Sequence, residues 1–283
     1  MSPFDDRTYE DMGTLVTRTS HADADVLIDT HCHLDDLSFV EDYDTVITES
    51  IQVGVRGWIN VGFEPDRWYS SIALAQRTPG MSVMLGVHPS SADQWTSTTA
   101  NELRDLLRET GAVAIGEIGL DFLRPEAPTS EMQTRAFSEQ LDLAIELALP
   151  AVIHMRESEH AMLKRLTQRT SLPPLLFHSY DGGPELTDFV LESGTHVGVG
   201  GLATRKGSGR LRNELLRISL NQIVLETDSP YLMPAHMRGR RNTPASVRAI
   251  ATFLSGLKSE EEHHIASITT QNAFAFFGKL RTA

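Results

Sequence analysis

The chain has 283 residues, 40% of them apolar and 22% charged, a balance ordinary for a soluble globular protein. Its net charge of −13 argues against a protein coated uniformly in nucleic acid, and no apolar run approaches the roughly 20 residues that span a bilayer. Cys32 is the only cysteine, so an intramolecular disulfide is impossible, which suits a reducing compartment.

Residues 1–25 are polar, aperiodic and without the apolar core of an export signal. They are expected to form a tail or covering extension on a cytoplasmic protein. From Val26 onward short runs of Val, Ile, Leu and Gly alternate with longer amphipathic stretches. Strands are predicted at 26–31, 55–61, 82–87, 113–118, 151–154, 174–178, 195–200 and 222–226. Helices are predicted between them at 41–53, 65–77, 98–109, 130–147, 157–168, 184–192 and 208–218. Three closing helices are predicted at 243–257, 259–269 and 271–277, the first entered through Asn242-Thr243-Pro244. Eight strand–helix units are the number that closes a (β/α)8 TIM-type barrel, so 26–283 reads as one barrel domain with extra C-terminal helices. An open doubly wound sheet is the structural alternative. Neither a Gly-x-Gly-x-x-Gly fingerprint after the first strand nor a Walker phosphate loop is present.

Polar residues fall where the strands end. The first strand closes in His31-Cys32-His33, which on alternating geometry puts both imidazoles on one face, roughly 6–7 Å apart, and the thiol on the other. The third strand ends in His88, the fourth carries Glu117, the fifth ends in His154, the sixth in His178, and the eighth in Glu226-Thr227-Asp228. In a barrel these ends converge on the C-terminal rim, where active sites sit. Such a mixed set of nitrogen and oxygen donors suits Zn²⁺, Mn²⁺ or similar ions, and exceeds what one tetrahedral ion needs. Charge is also uneven along the chain. Residues 1–50 hold 13 acidic and 2 basic side chains, whereas 201–250 hold 9 basic and 3 acidic, leaving room for a local phosphate-facing surface.

Seven motifs carry a family resemblance: Ile28-Asp29-Thr30-His31-Cys32-His33-Leu34-Asp35, Gly86-Val87-His88-Pro89, Gly116-Glu117-Ile118-Gly119-Leu120-Asp121, Ile153-His154-Met155-Arg156, Phe177-His178-Ser179-Tyr180-Asp181-Gly182, Leu225-Glu226-Thr227-Asp228-Ser229-Pro230-Tyr231-Leu232 and Arg238-Gly239-Arg240-Arg241-Asn242. In order and content they resemble the TatD family of metal-dependent deoxyribonucleases, within the amidohydrolase-like barrels, over the chain from about Val26 onward. The resemblance implies a (β/α)8-like barrel, two divalent metal ions (Zn, Mg or Mn) and phosphodiester hydrolysis on DNA, with single strands or 3′ ends acted on in the 3′–5′ direction. It places metal ligands at His31, His33, Glu117, His154, His178 and Asp228, with Glu117 bridging. Tyr180-Asp181 and the 198–206 region follow the family pattern loosely, which bears on substrate preference rather than on the metal site.

The mechanism this suggests is two-metal activation of water, with Glu117 holding the ions together and Asp228 accepting the water proton. His31 and His33 would bind the more buried ion, His154 and His178 the other, and Glu226 would stand behind the ligands. For substrate, Arg156, Arg205, Lys206, Arg238, Arg240 and Arg241 offer cations near the rim, Arg156 first among them, and His88 a base or phosphate contact. A packed thiol is expected at Cys32. A monomer without an obligate protein partner or membrane contact is expected. Two other readings remain: a metal-dependent amide or ester hydrolase with a narrow apolar pocket, and a degenerate barrel used only for binding.

Overall fold

A computed structural model of the chain describes residues 25–124, 126–239 and 241–283. Most of the predicted polar extension, together with Arg240, lies outside the described residues. The strands are β1 (Leu27–Cys32), β2 (Val55–Gly62), β3 (Met81–Leu85), β4 (Ile115–Asp121), β5 (Ala151–Arg156), β6 (Leu175–Phe177), β7 (His196–Val199) and β8 (Ile223–Leu225). Each pairs in parallel with the next, in the order β1 to β8. The cylinder closes where Cys32 bridges Ser229, where Asp228 N–H donates to the His31 carbonyl at 2.8 Å, and where Thr30 Oγ1 donates to the Leu225 carbonyl at 2.9 Å. All eight predicted strands are present, and the fold is the (β/α)8 barrel expected.

The helices are α1 (Tyr43–Gln52), α2 (Pro65–Arg77), α3 (Ser97–Thr110), α4 (Ser130–Leu147), α5 (Glu159–Thr167), α6 (Pro184–Ser193), α7 (Gly209–Arg217), α8 (Ser246–Lys258) and α9 (Glu262–Phe277). Local chemistry starts and stops them. Pro65 and Pro184 open α2 and α6 where a backbone N–H is not needed, and Thr96 and Thr129 accept from the first turns of α3 and α4. Gly111 and Gly194 end α3 and α6 in the left-handed conformation. None of the described helices is long and apolar enough to cross a membrane.

Two predicted helix features are corrected. The segments 259–269 and 271–277 form one helix, α9, because Thr269 and Thr270 do not interrupt it: Thr269 Oγ1 donates back to the Ile265 carbonyl, and Thr270 Oγ1 reaches the Val26 carbonyl. Helix α8 begins at Ser246 rather than 243, because Asn242 is engaged elsewhere. Its Nδ2 donates to the Thr227 carbonyl at 2.8 Å and its Oδ1 accepts from Ser246 Oγ at 2.5 Å, which ties the end of β8 to the start of α8.

The core has two layers, as a strand buried on both faces requires. One face of the strands packs on the helices through residues such as Trp58, Leu85, Ile153, Phe177 and Leu225. The other face fills the barrel with Ile28, Ile59, Val61, Met84, Val152, Leu176 and Val224. Phe276 and Phe277, at the end of α9, join this inner cluster, and the Phe276 ring lies 5.1 Å from that of His196, the first residue of β7. The N-terminal mouth is thus plugged by aromatic side chains. Towards the C-terminal ends of the strands the inner face carries the histidines and carboxylates, whereas at the N-terminal mouth its polar residues are His196, beside Phe276, and Ser82, whose Oγ accepts from the Arg281 N–H.

Candidate metal centre

Backbone geometry at the rim brings β4 and β5 unusually close. Gly119 pairs with His154, and a Cβ on Gly119 would lie 1.9 Å from the His154 carbonyl oxygen; its φ of 152° is one that side chains rarely adopt. This approach sets Glu117 against His154. Glu117 Oε1 lies 2.6 Å from His154 Nδ1, 2.7 Å from His178 Nε2 and 3.6 Å from His88 Nε2. Its second oxygen, Oε2, lies 3.4 Å from His31 Nε2. Asp228 Oδ1 lies 3.2 Å from His33 Nε2 and 3.8 Å from His31 Nε2. The His31 and His178 rings stack at 4.0 Å, and those of His88 and His154 meet edge to face at 4.4 Å.

Among the described residues three overlapping donor groups could hold an ion: His31 with His178 and Asp228, His31 with His33 and Glu117, and His88 with Glu117 and His154. The donor atoms within each group lie within 4.8 Å of one another. His31 Nδ1 and Nε2, His33 Nδ1, His154 Nε2 and His178 Nδ1 are buried without a hydrogen-bond partner. Buried polar atoms are rarely left so; His31 Nε2, which faces Glu117 Oε2 without a hydrogen-bond partner, is explained by a Lewis acid at the centre, while the nitrogens that face Glu117 and Asp228 from His33, His154 and His178 complete the donor set. The donor set therefore fits divalent cations.

Electrostatics agree. Burial pushes the Glu117 carboxyl up, but His178 and His154 around it hold it well below the usual carboxylate range. Burial likewise opposes the Asp228 carboxylate, and His33 holds its pKa below the usual value. Burial, with His154 alongside, lowers His88 to about 3, so this ring is neutral. Its Nδ1 is anchored at Ser90, 3.1 Å from the backbone N–H and 2.7 Å from Oγ, which turns Nε2 towards Glu117 at 3.6 Å.

Several contributors were not assigned from the sequence. Asp121 Oδ2 stands 3.4 Å from His154 Nε2; it lies four residues past Glu117 on one strand face, a spacing that could have revealed it. Asp29 is fully buried and hydrogen-bonded to Thr227 N–H at 2.9 Å and Thr227 Oγ1 at 2.6 Å, latching β1 to the residue before Asp228. Asp35 receives Arg67 Nε at 2.8 Å, Asn60 Nδ2 at 3.2 Å and Ser71 Oγ at 3.0 Å, bracing the turn after His33. Glu226, by contrast, is the residue expected from the sequence to stand behind the ligands: its Oε1 accepts from the Ser179 N–H and lies 3.6 Å from His178 Nδ1. Cys32 points away from the centre, its Sγ donating to the Ile59 carbonyl at 3.3 Å.

The candidate substrate cations lie around the same rim. Arg156 is exposed at the end of β5, Arg205 and Lys206 are exposed on the turn after β7, and Arg238 is exposed on the segment after β8. Arg241 is more occupied: its guanidinium pairs with Asp42 Oδ1 at 2.6 Å and covers the Phe39 ring at 4.3 Å.

Comparison with known proteins bears on this arrangement. The family described as TatD related DNase matches residues 28–278. A protein of Erwinia billingiae named 3'-5' ssDNA/RNA exonuclease TatD is 33% identical over 258 residues, covering 89% of this chain and 98% of its own. A protein of Buchnera aphidicola named as a metal-dependent hydrolase is 31% identical over 261 residues, covering 89% of this chain and 98% of its own. The crystal structure of a TatD homologue of Escherichia coli K12 superposes with a TM-score of 0.84 at 28% identity, covering 89% of this chain and 98% of that one. The match begins at the first residue of the His31–His33 motif and runs through every strand that carries a donor, and on that extent the chain belongs to the TatD-related DNase family.

Proposed function

We propose that the chain hydrolyses phosphodiester bonds of single-stranded nucleic acid from a 3′ end, using two divalent ions of the magnesium, manganese or zinc class. The observation that carries this reading is the placement of Glu117, whose Oε2 faces His31 while its Oε1 faces His154 and His178. A carboxylate between two nitrogen sets suits a pair of ions held side by side. His31, His33 and Asp228 would hold one, His154 and His178 the other, with Glu117 shared. Ions bound there supply Lewis-acid activation of the phosphoryl group and of the attacking water.

The chain's own groups do the rest. Asp228, kept ionised beside His33, accepts the proton released by the attacking water. His88, anchored through Nδ1 at Ser90, turns Nε2 towards the centre, where it contacts a phosphoryl oxygen. Arg156, Arg205, Lys206, Arg238 and Arg240 take flanking phosphates, with Arg241 contributing less because Asp42 already holds it. These basic side chains, and relatives named as acting on single-stranded DNA and RNA, favour a phosphodiester over an amide or ester.

The test is chelator stripping followed by stepwise return of Mg²⁺, Mn²⁺ or Zn²⁺, with cleavage of 3′-labelled single-stranded DNA as the readout. Cleavage should return with metal and be abolished in Asp228→Asn. Turnover of small amides with no DNA cleavage under any metal would overturn the reading.

A further inference from the structure

Tyr231 is presented at the rim in a way that folding does not call for. Its side chain is half exposed, at 52%, although it adjoins a buried, charged centre. Its backbone is firmly mounted. The Tyr231 N–H donates to the Asp228 carbonyl at 2.8 Å, the Asn242 N–H to the Pro230 carbonyl at 3.0 Å, and the His33 N–H to the Ser229 carbonyl at 2.8 Å. The ring meets His33 at 5.9 Å, inclined by 62°, and its hydroxyl has no hydrogen-bond partner among the described residues. His33 also meets Phe63, at 5.2 Å, which in turn faces His88 at 6.2 Å. An aromatic edge thus runs Tyr231, His33, Phe63, His88 along the proposed reaction centre.

The neighbouring segment after β1 adds apolar surface. Leu37 is 85% exposed and Val40 71% exposed, and this segment is pinned to the one after β8 through Arg241 and Asp42. Exposed apolar side chains on a fixed backbone, beside cations and a phosphoryl-directed centre, match a ligand with both an anionic group and a flat apolar face. A nucleotide has both. We infer that Tyr231 is a stacking platform for the nucleobase adjoining the scissile phosphate. This rests on the phosphodiesterase reading and deepens it. Inside a duplex both faces of a base are covered, and at a duplex end the terminal base is still paired to the other strand and cannot turn out onto a side-chain ring, so a platform of this kind favours an unpaired strand. Strand selectivity then originates in an aromatic side chain as well as in the width of the opening.

The experiment uses the metal-loaded full chain, single-stranded octanucleotides and the variants Tyr231→Ala and Tyr231→Phe. Loss of one base–aromatic stack should raise KM in Tyr231→Ala by about 5- to 150-fold, with a smaller change in kcat, while Tyr231→Phe stays within about threefold of wild type. A single abasic site is then walked through the three 3′-terminal positions. At one position wild type should lose about as much as the alanine substitution costs, and the difference between wild type and Tyr231→Ala should largely vanish there. If Tyr231→Ala lowers cleavage by the same factor on every abasic substrate, or lowers kcat alone, the platform is refuted while the nuclease reading stands. Failure of wild type to cleave any of these oligonucleotides refutes both.

Discussion

Gly198 offers no donor to the metal centre, yet its replacement should weaken it. A Cβ at this position would lie 2.1 Å from Glu226 Oε2 and 2.6 Å from Glu226 Cδ. Ordinary contact begins at 3.4 Å, so in Gly198→Ala the carboxylate must retreat by about 1.3 Å. Glu226 is fully buried between the Ser179 N–H and His178 Nδ1, and a retreat of that size breaks the first contact and lengthens the second. Two effects follow. Overpacking costs about 1–3 kcal/mol of stability, a fall of a few degrees in Tm for a chain of this size. Loss of the carboxylate that orients a liganding imidazole costs about 10- to 100-fold in metal affinity. Calorimetric metal titration of stripped protein separates the two, because Tm reports the first and Kd the second. Gly200→Ala is the matched control, since its nearest neighbour would stand at 3.4 Å. Shortening the displaced side chain with Glu226→Asp in the Gly198→Ala background should recover part of the affinity. A Gly198→Ala protein that melts lower but binds metal as tightly as wild type would refute the claim that Glu226 positions His178.

Asp29 gives a pH prediction. Burial pushes its carboxyl up to about 8 despite its hydrogen bonds to Thr227, whereas in the unfolded chain it titrates near 4. The folded state therefore holds a proton that the unfolded state releases, and Asp29's contribution to stability is greatest below about pH 4 and declines as pH rises towards 8. In metal-stripped protein, Asp29→Asn should remove that part of the slope, shrinking the fall in Tm between pH 5 and pH 8; equal slopes in the two proteins would contradict it. Cys32 gives a second. Its thiol is buried and pushed up by that burial, so a disulfide reagent should find no reactive thiol in the native protein and one per chain after denaturation. Stoichiometric reaction of the native form would show that β1 is more open than described.

The barrel was legible in the sequence because parallel strands covered on both faces leave continuous apolar runs, and because six of the eight runs carry a histidine or carboxylate at or near their ends. The paired His31 and His33 could be read from strand alternation alone. Asp29, Asp121 and Asp35 were in plain view within recognised motifs, but a side chain's partner is not encoded at its own position: Asp29 needs Thr227 from the opposite end of the chain, and Asp121 needs His154 from the adjoining strand. The anchoring of His88 was hidden for the same reason, since its contacts with Ser90 exist only in the folded turn. Helix α9 read as two pieces because Thr269 and Thr270 are poor helix formers, a preference overridden once Thr269, Ala273 and Phe276 are buried against the barrel. Arg241 looked equivalent to Arg238 in the sequence and differs only through Asp42 and Phe39, some 200 residues away in the chain.

The central claim is that Glu117 unites two ions in one hydrolytic site, and metal equivalents per chain test it most directly. Stripped protein is titrated with Mn²⁺ while cleavage of a single-stranded oligonucleotide and bound metal are followed together. The account predicts activity that rises with the second equivalent and, in Glu117→Gln, loss of both the second equivalent and the cleavage. Full activity at one equivalent, or a Glu117→Gln protein that binds two ions and cleaves at the wild-type rate, would contradict it.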